Sequence, residues 1–155
     1  MDIGELLADG GVVLRSGASS KRQALHVVAD AAAEALGMPQ EKVLEALLER
    51  EALGSTGLGA GVAVPHARLE GVDRVMAVFV RLDTPVAYGS VDDRPVDLLF
   101  ALFAPPKAGA DHLRALAAVS RALRSSEMRE QLRQARTADA IRALFVRDNA
   151  PATAA

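Results

Sequence analysis

Apolar positions along the chain follow two different periods. Leu25, Val28, Ala29, Ala32 and Leu36 recur at helical spacing behind Ser19-Ser20, which offers an N-cap, and run up to Gly37; they predict an amphipathic helix. Met38-Pro39 breaks that pattern, and Val43, Leu44, Leu47 and Leu48 predict a second helix from about Pro39 to Leu53, with Gly54 as its C-cap glycine. Ile3 to Leu7 predicts a short helix, and Val12-Val13-Leu14 after Gly10-Gly11 a short strand or a turn-bounded apolar entry. Val62-Ala63-Val64 reads as a strand stopped by Pro65. Two later runs, Val75 to Val80 and Val96 to Phe103, are continuously apolar over strand length, the mark of strands covered on both faces. Asp92-Asp93-Arg94-Pro95 between them is turn chemistry. Downstream only helical patterns remain: Leu113, Leu116, Ala117, Ser120 and Leu123, then Met128 and Leu132, then Ile141, Leu144 and Phe145 behind Thr137 as an N-cap. The expected architecture is a single α/β domain over residues 1–148, a central sheet with helices on both faces, and a fraying tail from Asn149 to Ala155.

Composition narrows the chemistry. The 155 residues contain no cysteine, which removes disulfides, thiolate catalysis and cysteine-ligated metals. The three histidines, His26, His66 and His112, lie far apart in sequence, with no HxxxH or HxH spacing, so no metal is expected. No apolar run has the roughly 20 residues of a spanning helix, and the acidic start Met1-Asp2-Ile3-Gly4-Glu5 is unlike a signal peptide, so a cytoplasmic protein without membrane insertion is expected. Charge is uneven: residues 111–155 carry eight arginines against five acids, net +3, and residues 1–110 ten basic against fifteen acidic side chains, net −5. These arginines are interleaved with acids along helices and aromatic content is 3%, which argues against nucleic-acid binding.

The segment from Glu49 to Leu69 draws the attention. Gly54, Gly57, Gly59 and Gly61 with Ser55 and Thr56 allow close backbone approach to a small anion, and the segment closes on His66 directly after Pro65. It lacks the GxxxxGK[ST] pattern and any lysine, so it is no Walker A loop; a tight turn between strands explains the glycines equally well. An imidazole near neutral pH is largely unprotonated and can accept a phosphoryl group without a separate base; Arg50 and Arg68 flank His66 and could neutralise it. His112, beside Asp111 at a helix start, reads either as a surface residue or as a second imidazole that meets His66 in space. His26, at the edge of an apolar helix face, reads as structural.

The run Arg50-Glu51-Ala52-Leu53-Gly54-Ser55-Thr56-Gly57-Leu58-Gly59-Ala60-Gly61-Val62-Ala63-Val64-Pro65-His66 resembles the signature of the EIIA domain of the fructose/mannitol and nitrogen-related branch of the bacterial phosphotransferase system. Asp93 to Leu102, Pro105 and His112-Leu113 are similar to the nitrogen-related subgroup in particular, and the resemblance spans about residues 3–146. It implies a central mixed sheet flanked by helices and no cofactor. It implies also that His66 is the phosphoryl acceptor, that Arg50 and His112 border the site, and that Ser55, Thr56 and Gly57 line it. The implied donor is an HPr-like phosphocarrier. The implied role is a phosphocarrier of the nitrogen-related system that controls regulatory targets such as potassium transporters or sensor kinases by its phosphorylation state. Two alternatives stay open: the EIIA component of a sugar permease that passes phosphate to a separate EIIB, and an interaction module with the same fold and no turnover.

Overall fold

The computed structural model describes residues 2–148; the tail expected to fray, Asn149 to Ala155, lies outside the described residues. Twelve elements follow in order: α1 (Ile3–Leu6), β1 (Leu7–Ser16), α2 (Lys21–Leu36), α3 (Gln40–Ala52), β2 (Gly57–Gly59), β3 (Val62–Ala63), β4 (His66–Arg68), β5 (Met76–Val86), β6 (Val96–Ala104), α4 (Ala110–Leu123), α5 (Ser126–Gln134) and α6 (Ala138–Asp148). The strands form one six-stranded sheet in the order β1-β5-β6-β3-β2, with β4 also pairing β6. It is mixed: β1–β5, β3–β6 and β4–β6 are parallel, β5–β6 and β2–β3 antiparallel.

The continuous apolar runs do what their composition requires. Along β5 and β6, Val78, Val80, Leu99, Ala101 and Phe103 face a core shared with α2 and α3, while Ala77, Phe79, Leu98, Phe100 and Leu102 face a second core shared with α1, α4, α5 and α6. The expected three-layer domain is therefore the observed one. The α2 start is capped by Ser20 Oγ, which accepts from Gln23 N at 3.1 Å, and its end by Gly37 in the left-handed region; Thr137 Oγ1 likewise accepts from Ala140 N at 3.0 Å.

Four expectations differ from the observed elements. The strand expected at Val12 to Leu14 is the middle of β1, which begins at Leu7 and carries a register shift after it, with Gly10 at φ 73; the polar Asp9-Gly10-Gly11 hides the strand signal. Leu53, in the right-handed conformation, holds the C-cap position of α3, and Gly54 follows it at φ 148. Pro65 does not end the edge of the sheet, because its carbonyl accepts from Leu102 N at 2.9 Å and the chain re-pairs with β6 as β4. The buried face of α4 is His112, Ala115, Val119, Ala122 and Leu123; Leu113, expected inside, is 65% exposed. The large leucines outweigh alanine in a hydrophobic pattern, yet it is the small residues that α4 lays on the sheet.

Candidate functional site

Parallel pairing with β6 sets His66 opposite Leu102, Ala67 opposite Phe103 and Arg68 opposite Ala104. Ala67 is buried in the α2–α3 core, so by strand alternation His66 and Arg68 stand on the other face, toward α4. Arg50, in the last turn of α3, reaches the same place from the opposite layer. The three meet His112 around an open cavity of about 470 Å³, rimmed by Leu53, Leu113 and Leu116. The site thus lies where both helical layers meet at the sheet edge.

The hydrogen bonds define the state of the His66 ring. Nδ1 lies 2.8 Å from the carbonyl oxygen of Val64, which only accepts, so Nδ1 carries the proton. Nε2 is then the unprotonated nitrogen, and it accepts from Arg50 Nε at 3.2 Å. Burial lowers the His66 pKa below its usual value; the Val64 carbonyl opposes that shift, and Arg50 and Arg68 add to it. The ring is therefore neutral at pH 7, with its nucleophilic lone pair turned to the guanidinium. Arg50 is itself steadied by the bond from Nη1 to the Gly54 carbonyl, 2.8 Å long.

His112 is not the surface residue that local pattern favours. It is 5% exposed, and its ring centroid lies 5.6 Å from that of His66 with the planes tilted by 57°. Burial, His66 and Arg68 all lower its pKa, so it too is neutral at pH 7. Its Nδ1 is buried with no hydrogen-bond partner. An unpaired lone pair costs less there than an unpaired N–H, which places the ring proton on Nε2. His26, by contrast, is exposed on α2, 3.3 Å from Asp30 and apart from the site.

Ser55, Thr56 and Gly57 do not line the cavity. Thr56, 6% exposed, gives its amide to Glu51 Oε1 at 3.0 Å and its hydroxyl to Glu51 Oε2. Ser55 Oγ donates to the Tyr88 carbonyl at 3.1 Å and accepts from Gly57 N at 3.1 Å. The glycines serve a β2–β3 hairpin: Gly59, Ala60 and Gly61 have φ of 97, 56 and 85, and Asp92 Oδ2 accepts from Ala60 N at 2.8 Å. Of the two readings the glycines allowed, the structure has the tight turn: a hairpin in which the amides of Thr56, Gly57 and Ala60 bond Glu51, Ser55 and Asp92, behind the site. Glu51, Tyr88 and Lys21 complete this support and escaped the sequence reading; a carboxylate inside the His66 signature, next to an arginine, was the one available signal. Among the described residues no group of three His, Cys, Asp or Glu side chains could hold a metal ion, and no helix is long and apolar enough to cross a membrane.

A mixed-sheet α/β domain that presents an unprotonated ring nitrogen and two arginines in one open cavity can hold an anion beside that nitrogen. The chain belongs to the family described as "Phosphoenolpyruvate-dependent sugar phosphotransferase system, EIIA 2", whose model matches residues 5–147. It is 44% identical over 155 residues, all of both chains, to a nitrogen regulatory protein of Bradyrhizobium diazoefficiens. It is 43% identical over 119 residues to the nitrogen regulatory protein of Escherichia coli, covering 76% of this chain and 73% of that one. The crystal structure of IIA-Ntr from Neisseria meningitidis superposes with a TM-score of 0.87 at 34% identity, over 92% of this chain and 98% of that one. The fold and an EIIA-type function in the phosphotransferase system follow, with the nitrogen-regulatory branch as the one it most resembles.

Proposed function

We propose that the protein is a phosphoryl carrier of the nitrogen-related phosphotransferase system, with His66 Nε2 as the acceptor of a phosphoryl group from an HPr-like phosphohistidine protein. The observation that carries this reading is the pair of bonds on the His66 ring, Nδ1 to the Val64 carbonyl and Nε2 to Arg50. In the transfer, the Nε2 lone pair forms the new N–P bond in line as the donor's N–P bond breaks, and that electron pair returns to the donor imidazole. No proton need move, because the attacking nitrogen is already bare. The ring gains positive character, and the Nδ1–H bond to Val64 strengthens as it does.

Arg50 releases Nε2 and turns its guanidinium to the phosphoryl oxygens, and Arg68 adds a second cation at the cleft. His112 donates its Nε2–H to the same oxygens as a neutral group. Ser55, Thr56 and Gly57 act behind the site, by holding its wall. Regulation follows from charge: a phosphoryl group brings up to two negative charges into a cleft that was cationic, so a target protein reads the two states differently. The nitrogen regulatory relatives support that regulatory role over sugar transport.

Incubation with phosphoenolpyruvate, enzyme I and HPr should add one acid-labile phosphate to the wild-type chain and none to His66→Ala, read by intact-mass spectrometry. Unchanged labelling of that variant would remove His66 from the role.

A further inference from the structure

The buried carboxylate beside the site has no part in the chemistry just described. Glu51 follows Arg50 on α3, and its side chain is 5% exposed. It accepts from four donors: Thr56 N at 3.0 Å, the Thr56 hydroxyl, Lys21 Nζ at 2.9 Å and the Tyr88 hydroxyl at 3.3 Å. Lys21 also stands 4.5 Å over the Tyr88 ring. These partners come from the start of α2, from the glycine-rich segment and from the loop after β5, so one carboxylate ties three parts of the chain to the end of α3. Burial and the neighbouring Glu51 push the Tyr88 pKa up, so its phenol stays a donor throughout the working range.

The consequence lies in what Glu51 encloses. Its two bonds to Thr56 close the chain from 51 to 56 into a ring, and Gly54 is the ring's apex, at φ 148. The Gly54 carbonyl is the acceptor that holds Arg50 Nη1 at 2.8 Å, and with Nη1 fixed, Nε points at His66 Nε2. The Gly54 amide bonds the Glu51 backbone carbonyl at 3.1 Å and Ser55 Oγ bonds the Tyr88 carbonyl at 3.1 Å, and the Glu51 carboxylate adds the side-chain tie that closes this corner on Thr56. We infer that Glu51 is a positioning residue for phosphoryl transfer: its carboxylate locks residues 51–56 into the corner whose Gly54 carbonyl aims Arg50 at His66. A glutamine cannot replace it, since an amide has one acceptor oxygen and would turn N–H groups toward donors.

This inference rests on the proposed function, and its test separates the two. Single-turnover transfer from phospho-HPr is followed by rapid quench for wild type, Glu51→Gln, Thr56→Val and, as a control in the opposite core, Ile141→Val; the His66 ¹⁵N signals are recorded without any donor. Glu51→Gln and Thr56→Val should each slow transfer by roughly tenfold or more, since misplacement of a charged clamp by an ångström is costly. Affinity for HPr should hold, and the His66 Nε2 signal should move as Arg50 withdraws. Ile141→Val should melt earlier yet transfer at the wild-type rate. Wild-type transfer with an unmoved His66 signal in Glu51→Gln, or in Thr56→Val where the first does not fold, would overturn the role of Glu51. A wild-type chain that takes no label would instead contradict the proposed function, while the ¹⁵N signal would still decide whether Glu51 aims Arg50.

Discussion

An imidazole accepts a phosphoryl group only while one ring nitrogen keeps its lone pair, and at His66 the Val64 carbonyl decides which one. Burial and the two arginines then keep the ring from charging. Transfer should therefore run at a plateau at neutral pH and decline as pH falls below the ordinary histidine value of about 6.5 toward the lower folded value of His66; the rate profile and the His66 NMR titration should share one midpoint. Arg50→Ala should slow transfer by about a hundredfold, the scale of losing one charged donor in the transition state, with little change in melting temperature because the guanidinium is only part-buried. Calorimetry beside rapid-quench rates checks both. That His66 and Arg50 lie together was legible, because the motif places them within one segment. The tautomer was not, since it depends on a carbonyl that local sequence does not point at, and the burial of His112 was not, since histidine scores as polar in any hydrophobic pattern.

Among elements, the glycine-rich segment changed most between sequence and structure. A Cβ on Gly57 would stand 2.2 Å from Ser90 Oγ and 3.0 Å from Ser90 Cβ, so the glycine is required by a neighbouring loop and not by an anion. Gly57→Ala should destabilise the fold by about 1–3 kcal/mol through overpacking, and adding Ser90→Ala should restore part of it, measured by urea unfolding. Ser90→Ala alone should be near neutral, because its hydroxyl is buried without a hydrogen-bond partner. Composition cannot tell a glycine that admits a ligand from one that admits a serine. Helices α2 and α3 were legible nearly to their ends, since their apolar stripes, caps and breakers agree. Strand β4 was hidden because proline usually stops a strand, and here its carbonyl is the group that pairs.

At the scale of the molecule, both cores share one sheet, so neither helical layer can be lost alone. Phe145 packs edge-on against Phe79 and Phe100, with ring centroids at 6.1 and 4.9 Å, in the core away from Arg50. Phe145→Ala should cost about 3–5 kcal/mol, and urea unfolding followed by Tyr88 fluorescence, in the other core, should coincide with that followed by circular dichroism. The half-buried His66 and the buried His112, both neutral, link the fold to pH. Both have folded pKa values below their unfolded ones, so the unfolded chain binds more protons in between, and stability should fall as pH drops from about 6.5 through the folded values. Denaturant midpoints across that range would show it, and His112→Asn should flatten the slope. The three-layer plan was legible from two continuous apolar runs between helical stripes. The meeting of Arg50, His66 and His112 at the sheet edge was legible only through the family resemblance, because it is made by strand order, which no local pattern encodes.

On the proposed function, His66 Nε2 receives the phosphoryl group while Nδ1 keeps its proton. Nitrogen-15 and phosphorus-31 NMR of the chain phosphorylated through enzyme I and HPr tests it directly. The expected spectrum has one phosphorus coupled to Nε2 of His66, with Nδ1 still protonated toward Val64; a phosphorus coupled to Nδ1 of His66, or to either nitrogen of His112, would rule that assignment out.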